Sequence, residues 1–281
     1  PKLLLMPRYS FKSSIATVAY TLWCLLRNPN ERILIYSDTT EKAEGFLLEI
    51  KNHILGLAKG GGFRKLTHQQ PWEVDPQQHT WNQSAIVVAA RTEAHWVPSV
   101  DTAGIEPSKI GKHYDRILFD DIVSDKNVTT PEQMDKVAEC FRRALSLLRP
   151  GGEVMVLGTR WHFGDLYGQM LSNPHRYPSL QTWVRKAEVL SEGRLTYPLA
   201  PIGLSKSFLD QQRTIQGDYI YSCLYQNEPV SDANATFRLA DFAFYPQQPP
   251  EGLYITCCLD PIPPHERAAG DDAAITICGT D

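Results

Sequence analysis

Leu3-Leu4-Leu5-Met6-Pro7-Arg8-Tyr9-Ser10-Phe11-Lys12-Ser13-Ser14 opens the chain with an apolar run, a turn and a Lys-Ser pair at the head of a helical segment. This is the layout of a phosphate-binding loop. Backbone N–H groups and a helix N-terminus cradle a polyphosphate, the lysine neutralises it, and the serine hydroxyl holds Mg²⁺. Met6 and Phe11 stand where the standard Gly-x-x-x-x-Gly-Lys-Ser/Thr pattern has glycine. The turn is therefore expected to aim its side chains away from the nucleotide. The competing reading is a helix cap beside a solvated lysine.

Working outward, the first 160 residues alternate apolar runs with helix-period segments, the pattern of strand–helix–strand units around a mostly parallel sheet. Leu3 to Met6 reads as a strand. Ser13 to Arg27 reads as a helix with Ile15, Val18, Ala19, Leu22, Trp23 and Leu26 on its apolar face, ended by Asn28-Pro29. A strand over Arg32–Ser37 precedes a helix with Asp38 as N-cap and Ala43, Phe46, Leu47, Ile50 and Ile54 on its inner face, closed by Gly60-Gly61-Gly62. After a polar, turn-rich stretch at 63–83, strands are expected over Ser84–Ala90 and Tyr114–Phe119. Thr130-Pro131-Glu132-Gln133 starts a helix that buries Met134, Val137, Ala138, Phe141, Leu145 and Leu148 and stops at Arg149-Pro150-Gly151-Gly152. Glu153–Thr159 is the next strand. Pro, Asp, Asn and Gln crowd 229–250, which reads as a linker. Beyond it, a strand over Leu253–Leu259 ends at Asp260, and the chain returns through Gly270-Asp271-Asp272 to Ala274–Ile277.

Two further stretches carry candidate chemistry. Ile117-Leu118-Phe119 runs into Asp120-Asp121, two acids at the carboxyl end of a buried strand, where ligands bind in open α/β sheets. In a nucleotide hydrolase the first acid holds Mg²⁺ through water and the second directs the attacking water. Val156-Leu157-Gly158-Thr159-Arg160-Trp161 places a hydroxyl at the end of a neighbouring strand, where it can sense a γ-phosphate. Its bland reading is a plain turn.

Composition narrows the field. The 281 residues are 42% hydrophobic and 21% charged with a net charge of −4, which excludes disorder, collagen and coiled coil and gives the chain as a whole no attraction for nucleic acid. No apolar stretch approaches the ~18–20 residues of a membrane span. The opening lacks an initiator Met and a basic leader, so no secretory signal is expected and the chain reads as a cropped fragment. Six cysteines without Cys-x-x-Cys spacing fit reduced core residues. Arg142-Arg143 and Arg185-Lys186 read as solvated faces, and the six tryptophans as core packing.

Taken together, Pro7-Arg8-x-x-x-Lys12-Ser13, the Asp120-Asp121 strand, Gly158-Thr159-Arg160-Trp161 followed by Gly164-Asp165-Leu166-Tyr167, and Tyr225-Gln226-Asn227-Glu228-Pro229 resemble the large terminase subunit of tailed bacteriophages. The resemblance implies a P-loop NTPase of the ASCE type over residues 1–228, a linker over 229–250, and the first strands of an RNase H-like nuclease over 251–281. It implies ATP binding at Pro7, Arg8, Tyr9, Ser10, Phe11, Lys12, Ser13 and Ser14, with Arg8 reaching the γ-phosphate. Ser13 and Asp120 would hold Mg²⁺, Asp121 would take the catalytic-base position that is usually Glu, and Thr159 would be the coupling residue. An arginine supplied by a neighbouring subunit is implied, with Arg91 and Arg116 as candidates. Asp260, with Asp271, Asp272 and Glu266 on the returning hairpin, would bind Mg²⁺ or Mn²⁺ in the nuclease. The implied partners are double-stranded DNA, the portal protein, the small terminase subunit and further copies in a ring, in the host cytoplasm and away from any membrane. On the residues, a helicase-like P-loop motor and a non-catalytic scaffold with a degenerate loop stay open.

Overall fold

Seven strands form one sheet in a computed structural model that describes residues 1–57, 80–105, 111–229, 254–260 and 274–280. They are β1 (Lys2–Leu5), β2 (Ile33–Tyr36), β3 (Ala85–Ile86), β4 (Val100–Ala103), β5 (Tyr114–Asp120), β6 (Leu148–Gly158) and β7 (Gln181–Val184). Their order is β3-β4-β2-β5-β6-β1-β7, and every pair is parallel except β3 with β4. Helices α1 (Tyr20–Arg27) and α2 (Thr40–Ile54) pack Leu22, Leu25, Leu47 and Ile50 on one face, while α3 (Pro131–Leu145) and α4 (Leu166–Ser172) pack Val137, Phe141, Tyr167 and Met170 on the other. This is the expected mostly parallel sheet flanked by helices.

After β7 comes a smaller core. A hairpin of β8 (Val189–Ser191) and β9 (Arg194–Thr196) leads to α5 (Lys206–Tyr221), beneath which Ala187, Leu204, Leu209, Tyr221, Leu224 and Tyr225 are buried together. All of this lies in one compact unit, Pro1–Ala233. The second unit, Asn234–Asp281, contains an antiparallel pair, β10 (Tyr254–Asp260) with β11 (Ala274–Thr280), in register from Tyr254↔Thr280 to Asp260↔Ala274. Gly60-Gly61-Gly62, residues 230–250, Glu266, Asp271 and Asp272 lie outside the described residues. Among the described residues no helix is long and apolar enough to cross a membrane.

Several local expectations need correction. The helix after the loop begins as a π-helical stretch, Ser14–Ala19, and turns a different face inward: Thr17, Val18, Thr21, Leu22, Cys24 and Leu25 are buried, while Ile15, Ala19, Trp23 and Leu26 are exposed. Polar Thr17 and Thr21 hid that face from a hydrophobic count. The cap of α2 is Thr39, whose hydroxyl accepts from the Lys42 N–H, one residue later than Asp38. Strand β3 is only two residues long, and β4 was missed because Asp101 interrupts it. That carboxylate is fully buried and accepts from Lys112 Nζ at 2.6 Å and Tyr114 OH at 2.7 Å, so its charge is compensated inside the sheet layer. The third helix ends at Leu145, so Arg149–Gly152 does not terminate it but lies within β6, where the register against β5 slips, and Leu148 belongs to that strand. The tryptophans divide: Trp81 and Trp161 pack against the core as expected, whereas Trp23, Trp96 and Trp183 are exposed, Trp23 stacking on Tyr20 and under Arg27, and Trp72 lies outside the described residues.

Candidate nucleotide-binding site

The loop after β1 makes its turn without glycine. Tyr9 and Phe11 both adopt left-handed backbone conformations, at φ 65° and 59°, and Phe11 occupies one of the two positions where the standard pattern has glycine. A side chain there costs ~1–2 kcal/mol, strain of the kind held where a site over-determines the backbone. Left-handed residues on either side of Ser10 favour a concave run of N–H groups that suits an anion. The loop is anchored where the Arg8 N–H donates to Leu224 O at 2.8 Å, and the Ile15 N–H donates to Phe11 O at 3.0 Å to begin the helix. The Ser10 hydroxyl is buried without a hydrogen-bond partner.

Sheet register then brings the remaining groups to this loop. Leu5 pairs with Gly158 and Asp120 with Leu157, so the carboxyl ends of β1, β5 and β6 meet. Lys12 Nζ lies 3.0 Å from Thr159 Oγ1 and 3.1 Å from Asp121 Oδ2. Asp120 is fully buried; its carboxylate accepts from Ser13 Oγ at 2.9 Å and from Thr17 Oγ1 at 2.5 Å. Burial, then the neighbouring Asp121 charge, pushes the Asp120 carboxyl up to about 6, against the lowering effects of Thr17, Lys12 and Ser13. Asp121 follows in a left-handed conformation, φ 48°, with its N–H donating to Leu157 O at 2.9 Å and Oδ1 buried without a partner. Thr17 escaped the sequence reading, although its spacing of four from Ser13 put both hydroxyls on one helix face.

Over 235 residues the chain is 26% identical to the terminase large subunit of Enterobacteria phage T3, a match covering 82% of this chain and 37% of that protein. The chain resembles a phage large terminase subunit. It spans little more than a third of that curated relative's length. Among solved structures, the large terminase ATPase domain of Thermus phage P74-26 shares 13% identity, covers 82% of this chain and 88% of its own, and superposes with a TM-score of 0.45. The large terminase of a thermophilic bacteriophage, solved in complex with ADP, shares 9% identity over 100% of this chain and 60% of its own, with a TM-score of 0.47. No family profile matches the chain.

The terminase-like motifs divide into site and support. Gly158 has no room for a side chain, since a Cβ would lie 2.3 Å from the Tyr167 ring. Tyr167 is fully buried, donates from OH to Leu157 O at 3.2 Å, and so fixes the strand end that carries Thr159. Asp165 caps α4, accepting from the Gly168, Trp161 and His162 N–H groups at 2.7, 3.0 and 3.1 Å; burial raises its carboxyl despite those bonds. Asn227, left-handed at φ 52°, accepts from the Arg160 N–H at 3.2 Å and donates to Arg185 O at 2.8 Å, joining the end of β6 to the segment after β7.

The oxygen donors Ser13 and Asp120, with the orphan Asp121 Oδ1 nearby, suit Mg²⁺, which is commonly held by one or two protein oxygens, substrate phosphates and water. Among the described residues no three His, Cys, Asp or Glu side chains form a metal cage. Arg8 has an exposed side chain. Arg116 lies near the amino end of β5, and Arg91, after the antiparallel β3, lies near Arg32 and Asp115 at that same edge, away from the carboxyl-end site. Arg116 pairs with Glu31 at 2.6 Å and with Glu153 and lies over the Tyr20 ring, while burial and the Arg32 charge lower the Arg91 guanidinium, whose Nη1 donates to Val97 O at 2.7 Å. Asp260 ends β10 opposite Ala274.

Proposed function

We propose that the chain is the ATP-hydrolysing part of a motor that packages viral double-stranded DNA, followed by the opening hairpin of a metal-dependent nuclease. The observation that carries this reading is the convergence of Asp121 and Thr159 within 3.1 Å of the Lys12 ammonium, beside the Ser13–Asp120 pair. Lys12 binds the phosphates and on doing so exchanges its Asp121 partner for phosphate oxygen. Ser13 and Asp120 would hold Mg²⁺, which would supply neutralising charge on the phosphates. Asp121, released from Lys12, orients the attacking water and accepts its proton. Its side chain is one methylene shorter than Glu, so the water sits closer to the strand end. Thr159, hydrogen-bonded to Lys12 just past the end of β6, registers the change and passes it to the adjoining Arg160, whose N–H donates to Asn227. Arg8 extends from the loop toward the γ-phosphate. Neither Arg91 nor Arg116 is assigned as the arginine supplied in trans.

Asp260, with Asp271 and Asp272, contributes acids to a two-metal DNA-cleaving site. Portal protein, small terminase subunit and a homo-oligomeric ring in the host cytoplasm belong to the same reading. A net charge of −4 gives the chain as a whole no attraction for DNA, so in this reading the contact comes from a local basic patch or from assembly into the ring. The test is Mg²⁺-ATP turnover with and without linear double-stranded DNA, beside Lys12→Ala and Asp121→Ala. Turnover in the parent, lost by ~10²-fold or more in both variants, is expected. A parent that neither binds nor hydrolyses nucleotide would leave a scaffold.

A further inference from the structure

Three hydroxyl groups hold Asp120, and one of them, on Thr17, takes no part in binding phosphate. The Asp120 carbonyl accepts from Ser37 Oγ at 2.8 Å, Oδ1 accepts from Ser13 Oγ at 2.9 Å and Oδ2 accepts from Thr17 Oγ1 at 2.5 Å. Ser13 borders the open cleft beside the loop, whereas Thr17 is fully buried and reaches the site only through Asp120. We propose that Thr17 is a positioning residue for hydrolysis: by holding Oδ2 it fixes the rotation of the Asp120 carboxylate, so that a single oxygen, Oδ1 beside Ser13, is presented to Mg²⁺. This role rests on the nucleotide-hydrolase reading above and adds to it a residue that sets the affinity and selectivity of the metal site.

The torsion of the acid explains why a second hydroxyl matters. The terminal torsion of an Asp side chain is broad and roughly two-fold, so a single hydrogen bond leaves the carboxylate free to turn. Hydroxyls on both oxygens remove that freedom. Ser13 and Thr17 are four residues apart and so share a helix face, at the start of a helix whose first stretch, Ser14–Ala19, is π-helical. Such π-helical turns recur at functional sites. A helical threonine can return its one hydroxyl proton to the carbonyl four residues back. Thr17 sends that proton across to β5 instead. Thr21, four residues further along the same face, is equally buried, and its hydroxyl has no hydrogen-bond partner. Burying a hydroxyl on this face is therefore not enough to bring it to the acid.

Selectivity follows from the oxygens left over. Mg²⁺ demands near-ideal octahedral geometry and is commonly met by one or two carboxylates and water, while the larger Ca²⁺ accepts bidentate carboxylates in a flexible shell. With Oδ2 committed to Thr17, Asp120 does not offer both oxygens to one ion, which favours the smaller cation. Removing a group that orients a metal ligand typically lowers metal affinity by roughly 10–100-fold.

The experiment compares the full chain with Thr17→Val, Thr17→Ser and Thr21→Val. Two quantities are read: the Mg²⁺ concentration that half-saturates ATP hydrolysis and, by calorimetry without turnover, the affinity for ADP in EDTA, in Mg²⁺ and in Ca²⁺. Thr17→Val should raise the half-saturating Mg²⁺ roughly tenfold and shrink by a similar factor the gain in ADP affinity that Mg²⁺ brings. ADP affinity in EDTA and the gain brought by Ca²⁺ should each change less than about twofold, so the preference for Mg²⁺ falls. Thr17→Ser, which keeps the hydroxyl, should stay within roughly threefold of the parent, and Thr21→Val, which removes an unpartnered hydroxyl, should match it. Unchanged Mg²⁺ dependence in Thr17→Val, equal shifts in Thr17→Val and Thr21→Val, equal losses with Mg²⁺ and Ca²⁺, or a Thr17→Ser no better than Thr17→Val would overturn the role. If Thr17→Val does not fold, Thr17→Ala removes the same hydroxyl and carries the same expectations. A parent that hydrolyses no ATP and binds ADP no better in Mg²⁺ than in EDTA would instead defeat the hydrolase reading beneath it.

Discussion

Phe11 pays a conformational cost at the place where most phosphate loops use glycine, and the cost can be measured. Its side chain is exposed, so replacement removes little core packing. Phe11→Gly should fold at least as stably as the parent, strain relief outweighing the extra freedom of the unfolded chain. Phe11→Val puts a β-branched residue at φ 59° and should be ~1–2 kcal/mol less stable than Phe11→Gly by denaturant midpoint. Equal stabilities would mean the turn relaxes without cost. Asp120 offers a second residue-scale test. Burial raises its carboxyl from 3.8 to about 6, so the folded chain holds the proton more tightly than the unfolded chain. The stability this confers is complete below pH ~4 and is lost as pH climbs through about 6. In metal-free buffer, Asp120→Asn should therefore gain on the parent between pH 5 and pH 7.5 in urea midpoint; parallel pH profiles for the two proteins would contradict the assignment. The residue types at both positions were legible in the sequence. The left-handed backbone was not, because nothing in a Tyr-Ser-Phe triplet announces positive φ.

At the scale of elements, strands with a continuous apolar run were legible in the sequence, while β4, with a charge buried mid-strand, and the short exposed β7, β8 and β9 were not. β5 and β6 declared themselves through Ile117-Leu118-Phe119 and Val154–Leu157; β4 did not, because its Asp101 is compensated by Lys112 and Tyr114, partners far enough along the chain to be invisible to a local window. The helix over 14–27 was found, but its inward face was misjudged by counting Ile15, Trp23 and Leu26 as buried, when the site needs Thr17 there to hold Asp120. Function, in that helix, set the face. The same coupling of packing to site makes Gly158 testable. A methyl group at Gly158 would lie 2.3 Å from Tyr167, and that ring is fixed by burial and by its bond to Leu157 O. Gly158→Ala should cost ~1–3 kcal/mol of stability and, by shifting Thr159 from Lys12, lower ATP turnover as well. Adding Tyr167→Leu should recover part of both losses, a non-additivity that thermal melts and turnover of the double variant would reveal.

At the scale of the molecule, the sheet and the smaller core meet along the same line as the nucleotide site. Arg8 N–H to Leu224 O, Ala187 N–H to Tyr225 O and the two bonds of Asn227 join them, and a cleft of about 480 Å³ lies between the loop, Tyr9 to Ser14, and an apolar far wall of Ile202, Gly203, Leu204 and Phe208 from the smaller core. A ligand seated there adds contacts that the isolated chain lacks, so binding should tighten the smaller core against the sheet. At a ligand concentration of one hundred times Kd the gain is ~2.7 kcal/mol, available only to states in which both walls are in place. Amide hydrogen exchange in Lys206–Tyr221, the helix behind the far wall, should therefore slow when Mg²⁺-ATP is added, by up to ~10²-fold where exchange proceeds through separation of the two cores. Tripolyphosphate, reaching only the loop, should slow exchange near Lys12–Ser14 and leave α5 close to its unliganded rate. Equal protection of α5 by both ligands would place the junction under control of the phosphates alone, and the apolar wall would then have no part in joining the cores.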